Sequence, residues 1–92
     1  MAIFAIIKQP GLYGEKLGAA IGQRYPDAFY SLSNDAWLVS DIGTAQDVSE
    51  RLGITSGENG SAVVIEMASY FGRANPAIWS WIKTMWESPP GG

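Results

Sequence analysis

The 92-residue chain contains no cysteine and no histidine. Without cysteine it forms neither disulfides nor thiolate sites, and without histidine it lacks the commonest general base and the commonest metal ligand. Zinc sites of the usual structural and catalytic kinds are built from these two residue types. The composition therefore excludes them.

Positive charge is also scarce, with 6 basic against 9 acidic residues and a pI near 4.6. Such a chain has no overall attraction for phosphate polymers or anionic membranes, which disfavours nucleic acid as a partner. The N-terminal run MAIFAIIKQP is too short to span a bilayer and has neither a basic n-region nor a cleavage site. We therefore expect a cytoplasmic protein with no membrane partner.

Apolar residues make up 47% of the chain, enough for the core of a single small domain. We expect that domain to span residues 1–87. The last five residues, SPPGG, cannot continue a helix, and we expect a flexible tail over 88–92.

Hydrophobic periodicity predicts strands at residues 2–7, 28–33, 36–42 and 61–68 and helices at 12–24 and 44–52, with a third helix from Pro76. Thr44 and Asp47 stand close to a capping-box pattern, and Asn75-Pro76 is a typical helix start. The order βαββαβ with an additional C-terminal helix predicts an α+β, ferredoxin-like antiparallel sheet with both crossover helices on one face. The first strand, at residues 2–7, is expected to be a central strand because it is apolar on both faces.

The first predicted helix carries glycines at Gly14, Gly18 and Gly22, each costing about 1 kcal/mol relative to alanine. At 100° per residue they form a strip beside Leu17 and Ile21 on which another backbone could pack closely. We expect the second helix to pack there. The alternative is that the strip admits a ligand or a partner chain.

The stretch NDAWLVSDIGTAQDVSERLGI pairs a hairpin strand, Trp37-Leu38-Val39, with a helix opened by Thr44-Ala45. In this it resembles the small ferredoxin-like proteins grouped with the CRISPR-associated adaptor nucleases and their virulence-associated relatives, over residues 1–82. The resemblance implies a homodimer and, for some members, metal-dependent endoribonuclease activity that uses an aspartate at the end of the first strand. Here Lys8-Gln9-Pro10 stands at that place, so the hard oxygen ligand for magnesium is missing.

No catalytic, cofactor-binding or metal-binding residue is assigned from the sequence, and no cofactor is expected. If the protein were a divalent-metal endoribonuclease with relocated carboxylates, Asp35, Asp41 and Arg73 would be its carriers and Mg²⁺ its metal; otherwise they are solvated residues. Tyr70-Phe71-Gly72-Arg73 could stack on a base and pair with a phosphate, or it could cover the core.

The favoured function is a non-catalytic homodimeric interaction or regulatory module, which also leaves room for another protein partner. The two crossover helices can cover only one face of the sheet, and the apolar residues of the third helix spread around about half of its circumference. Exposed tryptophans beside a methionine are typical of an interface. The open sheet face and the third helix are therefore predicted to form a two-fold homodimer interface through Phe4, Ile6, Trp79, Trp81, Met85 and Trp86.

Overall fold

The computed structural model describes residues 1–11 and 15–87, and the predicted tail at 88–92 lies outside this part of the chain. Within it, strands and helices follow one another in the order βαββαβα. No helix there combines the length and the apolar composition needed to cross a bilayer. The strands are β1 (Ala2–Lys8), β2 (Phe29–Ser33), β3 (Ala36–Asp41) and β4 (Ala62–Glu66), and the helices are α1 (Glu15–Arg24), α2 (Ala45–Arg51) and α3 (Pro76–Glu87).

The strands form one antiparallel sheet in the order β2-β3-β1-β4. β1 pairs with β3 on one side and β4 on the other, which confirms the prediction of a central strand. α1 joins β1 to β2 and α2 joins β3 to β4, so each connection passes over the strand between the two that it joins. The predicted α+β class, with an antiparallel sheet and an additional C-terminal helix, is confirmed.

The larger core lies between the sheet and helices α1 and α2. α1 contributes Leu17 and Ile21, which lie one turn apart on the same side of the helix, and α2 contributes Val48. Strands β1, β3 and β4 and the segments that follow α1 and α2 supply the other side chains of this core. Those that are buried are Phe4, Ile6, Trp37, Val39, Tyr25, Leu52 and Ile54, and Ala62 and Val64 of β4 are partly buried against them.

The prediction that Phe4 and Ile6 lie on the open face is wrong. Both side chains have no exposed surface, because α1 and α2 cover the face of β1 to which they point. Alternation along the strand places Ile3, Ala5 and Ile7 on the opposite face. Phe4 and Ile6 therefore contribute to the core of one chain and are not available to a second copy.

The opposite face of the sheet is covered in part by α3. Ile82 of α3 is buried against Ile3 of β1 and Leu38 of β3. The helix packs on β1 and β2. Residues that are half-buried around this smaller core are Ala5, Tyr30, Met67, Ile78, Trp79, Trp81 and Met85.

The helix starts follow the local signals in the sequence. Thr44 caps α2 through its hydroxyl, which accepts from the Asp47 amide at 3.2 Å, while the Asp47 carboxylate accepts from the Thr44 amide at 2.9 Å. These hydrogen bonds, the one from the Thr44 backbone first, lower the pKa of Asp47. At α3 the Asn75 side chain accepts from the Ala77 amide at 2.9 Å, with Pro76 as the first helical residue. The capping box and the Asn75-Pro76 helix start are confirmed.

The predicted packing of the glycine strip against α2 is wrong for the glycines that the structure describes. A Cβ atom placed on Gly18 would lie 3.5 Å from Cζ2 of Trp37, and one placed on Gly22 would meet no neighbouring atom within 4 Å. The neighbour of Gly18 is thus a side chain of β3. Gly14 lies outside the described residues.

Gly22→Ala is expected to stabilise the protein by about 0.5 to 1 kcal/mol, because alanine has the higher helix propensity and the added methyl group meets no other atom. Gly18→Leu is the contrasting variant: its larger side chain must overpack against Trp37, which costs about 1 to 3 kcal/mol. Urea denaturation of the two variants and the wild type measures both effects. A Gly22→Ala protein less stable than wild type would show that this helix face is covered.

Candidate functional site

The structure separates the two carboxylates that the sequence offered for a metal. Asp35 lies in the turn before β3 and Asp41 is the last residue of β3. Six residue steps along a strand amount to roughly 20 Å, whereas ligands of one divalent ion lie about 2.0 to 2.6 Å from it. Asp35 instead forms an ion pair with Lys8, whose Nζ lies 3.5 Å from its carboxylate. The two aspartates do not form one metal site.

Asp41 is the centre of a polar cluster that joins three elements. One carboxylate oxygen, Oδ2, accepts a hydrogen bond from the Tyr25 hydroxyl at 2.6 Å and another from Nη1 of Arg51 at 2.8 Å. The other oxygen, Oδ1, accepts from the Ile42 amide at 2.6 Å. Arg51 also donates to the Ile42 carbonyl at 3.1 Å. The carboxylate thus ties the residue that follows α1 to the end of β3 and the last turn of α2.

The environment of this cluster favours the protonated hydroxyl of Tyr25 and the charged Arg51. Burial, followed by the hydrogen bond to Asp41, raises the pKa of Tyr25 far above its ordinary value. The charge of Asp41 raises the pKa of Arg51. With the oxygens of Asp41 occupied by Tyr25, Arg51 and Ile42, the cluster acts as a structural tie.

Tyr25 and Arg51 were missed as members of this cluster. They stand sixteen and ten positions from Asp41 in the chain, so no local motif connects them. The available signal was weak: the Tyr25-Pro26 pair ends α1 just before the strand that pairs with β3, and Arg51 is the basic residue of the last turn of α2.

Arg73 and its aromatic neighbours lie in the connection between β4 and α3. Tyr70 stacks on Trp79 with ring centroids 5.9 Å apart and an interplanar angle of 19°, and its ring also lies 5.8 Å from that of Trp86. Phe71, in contrast, is fully exposed. An open cleft of about 230 Å³ lies between Tyr70, Phe71, Gly72 and Trp79. The stacking surface of Tyr70 is thus occupied by tryptophans of its own chain, and Arg73 is exposed beside it.

The residues of α3 predicted for an interface differ in how much surface they leave. Trp79, Trp81 and Met85 are half-buried against the smaller core, and the Trp81 ring lies 6.0 Å from that of Tyr30. Trp86 is 37% exposed. Trp81 therefore already has an intramolecular partner, and replacing it would affect folding as well as any assembly.

Part of the α3 side of the sheet is left uncovered at β4. Val63 and Ile65 of β4 and Ile7 of β1 are 45%, 48% and 40% exposed. Ile7 pairs directly with Val63, and Ile65 pairs with Ala5 on the same face. We call these three side chains, Ile7, Val63 and Ile65, the edge strip.

The edge strip is exposed because of where α3 lies. α3 packs on β1 and β2, and α2 contacts β4 from the opposite face. A twelve-residue helix is about 18 Å long and about 10 Å wide, so a single helix cannot cover every strand of this sheet. Sequence reasoning foresaw an open apolar face, but it assigned that face to Phe4 and Ile6.

Comparison with protein-family models finds none that matches this chain, and comparison with curated proteins also finds no match.

Tyr25→Phe is expected to lower the free energy of unfolding at neutral pH by about 1.5 to 3 kcal/mol, because it removes a hydrogen bond to a charged group. The folded-state pKa of Tyr25 is raised, so the stability it contributes is complete below the unfolded-state value of about 10 and is lost as the pH rises beyond it. Urea denaturation between pH 7 and pH 12 should show a shallower alkaline loss of stability in Tyr25→Phe than in the wild type.

Tyr70→Phe serves as the matched control, since Tyr70 is 41% exposed and its hydroxyl makes no hydrogen bond within the described residues. Its alkaline profile should follow that of the wild type. Identical profiles for all three proteins would contradict the role assigned to Tyr25.

Proposed function

We propose that this chain is a homodimeric, non-catalytic protein-interaction module and that the edge strip is its contact surface. The observation that carries the proposal is the exposure of Ile7, Val63 and Ile65, each 40% to 48% exposed, side by side on one face of the sheet. Grouped apolar side chains at a surface are typical of protein–protein contacts. The tie of Asp41 to Tyr25 and Arg51 supports the non-catalytic part, because it gives one of the two candidate carboxylates a structural role.

We also propose a ferredoxin-like arrangement for this module. In its support, both helical connections pass over an intervening strand, and β1 and β3 occupy the middle of the sheet. The relationship to CRISPR-associated adaptor nucleases stays a prediction from the sequence.

Light scattering at micromolar concentration tests the dimer, with Ile65→Glu and Val63→Glu as the variants. Each places a carboxylate in the edge strip, where burial on association would desolvate an unpaired charge. The wild type should have the mass of two chains. Both variants should shift toward one chain.

Leu32→Glu is the matched control, because Leu32 is 40% exposed and lies on β2 at the other edge of the sheet. It should leave the mass unchanged. A wild-type mass of one chain at every concentration would refute the homodimer. A dimer that both edge-strip variants leave intact would place the contact elsewhere.

A further inference from the structure

The two edges of the sheet differ in how well they could pair with another strand. β2, at one edge, has an irregular register between Ser31 and Ser33, which is the kind of bulge that protects an edge. β4, at the other edge, pairs with β1 in unbroken register over its whole length. It contains neither proline nor lysine, the residues that commonly blunt exposed edges. β4 is therefore the edge suited to adding a strand.

The hydrogen-bond pattern shows which groups of β4 face outward. The Met67 amide donates to Ile3 and the Ser61 carbonyl accepts from Gln9, so the odd-numbered residues of this strand direct their backbone groups toward β1. In an antiparallel ladder the alternate residues direct theirs to the other side. The amides and carbonyls of Ala62, Val64 and Glu66 thus point toward the free edge.

We propose that two copies of this chain pair through β4, antiparallel and with Val64 opposite Val64 of the second copy, to form one continuous sheet. This arrangement rests on the homodimer proposed above and specifies its geometry. Centring the pair on Val64 places Ala62 opposite Glu66 of the second copy, and each such pair exchanges two N–H···O bonds. In this register every outward backbone group of β4 gains a partner.

The same register extends the edge strip across the two-fold axis. Val63 of one copy comes to lie opposite Ile65 of the other on the α3 side of the sheet, in the closer, non-hydrogen-bonded type of pair. Cross-strand pairs of β-branched side chains stabilise antiparallel sheets. Val63 and Ile65 of the two copies thus contact one another at the junction.

Charge complementarity also favours a second copy in this register. Glu66 and Lys8 both lie on the α1 and α2 side of the sheet. Glu66 pairs with Phe4 and Lys8 pairs with Ala62, and Phe4 and Ala62 both belong to the core on that side. On this side of the sheet, Glu66 lies opposite Ala62 of the second copy, and Ala62 in turn lies opposite Lys8 of that same copy. With strands about 4.8 Å apart, the two charged residues lie about 10 Å apart at their Cα atoms across a small alanine, within reach of extended side chains. Lys8 would exchange its exposed partner Asp35, whose carboxylate lies 3.5 Å from its Nζ in the single chain, for Glu66 of the second copy. Among the described residues, Glu66 has no ion-pair partner in its own chain.

Three kinds of variant test the pairing by light scattering over a concentration series. Val64→Pro removes the central outward amide and should abolish the dimer; proline is tolerated at an edge position whose amide faces solvent. Glu66→Lys should weaken the dimer on the order of tenfold, because it sets like charges against Lys8 of the second copy. Adding Lys8→Glu to Glu66→Lys should restore most of that affinity.

Crosslinking tests the register directly, since the chain has no cysteine of its own. In Val64→Cys the two Cα atoms of the hydrogen-bonded pair lie about 5.5 Å apart, inside the range for a disulfide, so mild oxidation should link two chains. Ser31→Cys, on the bulged edge, is the control and should stay unlinked. Circular dichroism of each variant confirms that it is folded.

The outcomes separate the two proposals. A wild-type protein with the mass of one chain refutes the homodimer and this pairing together. A dimer that neither forms the Val64→Cys disulfide nor responds to Glu66→Lys refutes the pairing alone and leaves the homodimer standing. Crosslinking at Val64 together with charge-swap rescue supports the pairing.

Discussion

The central position of β1 is the constraint on which the rest of this structure depends. A strand with isoleucine or phenylalanine on both faces must be covered twice, once from each side of the sheet. α1 and α2 cover the side of Phe4 and Ile6, and α3 covers the side of Ile3. Two helices cover one face of the sheet and a single helix covers the other. Apolar side chains of β4 on the α3 side therefore stay exposed to solvent.

This inequality separates the molecule into a side that stabilises the chain and a side that offers contacts. The α1 and α2 side holds the larger core. At one end of it, Asp41 accepts hydrogen bonds from both Tyr25 and Arg51 and so joins β3 to the ends of α1 and α2. On the α3 side, the tryptophans are half-buried and the edge strip is exposed. Of the polar candidates, Asp41 thus belongs to the side that stabilises the chain, whereas the exposed apolar side chains of the edge strip carry the proposed function.

Local signals in the sequence predicted local structure well. The alternation of β1, the Thr44 capping box and the Asn75-Pro76 helix start all depend on residues within four positions of one another. Features that depend on which element lies opposite were predicted less well. Alternation along β1 places Phe4 and Ile3 on different faces of the sheet. Because both faces are apolar, the sequence pattern does not indicate which face the crossover helices cover. Helical spacing likewise orients Gly18 without revealing that its neighbour is Trp37.

The bulge in β2 has a consequence for the size of any assembly built by pairing strands. A sheet with two regular edges can pair with another copy of the chain at each edge. Every added copy then presents a free edge of its own, and repeated pairing of this kind produces a fibril. Here Ser31 and Ser33 break the ladder at one side. Only β4 is then suited to pairing with another strand. If β4 pairs with β4 of a second copy, both outer strands of the joined sheet are bulged β2 strands, and the assembly ends at two chains.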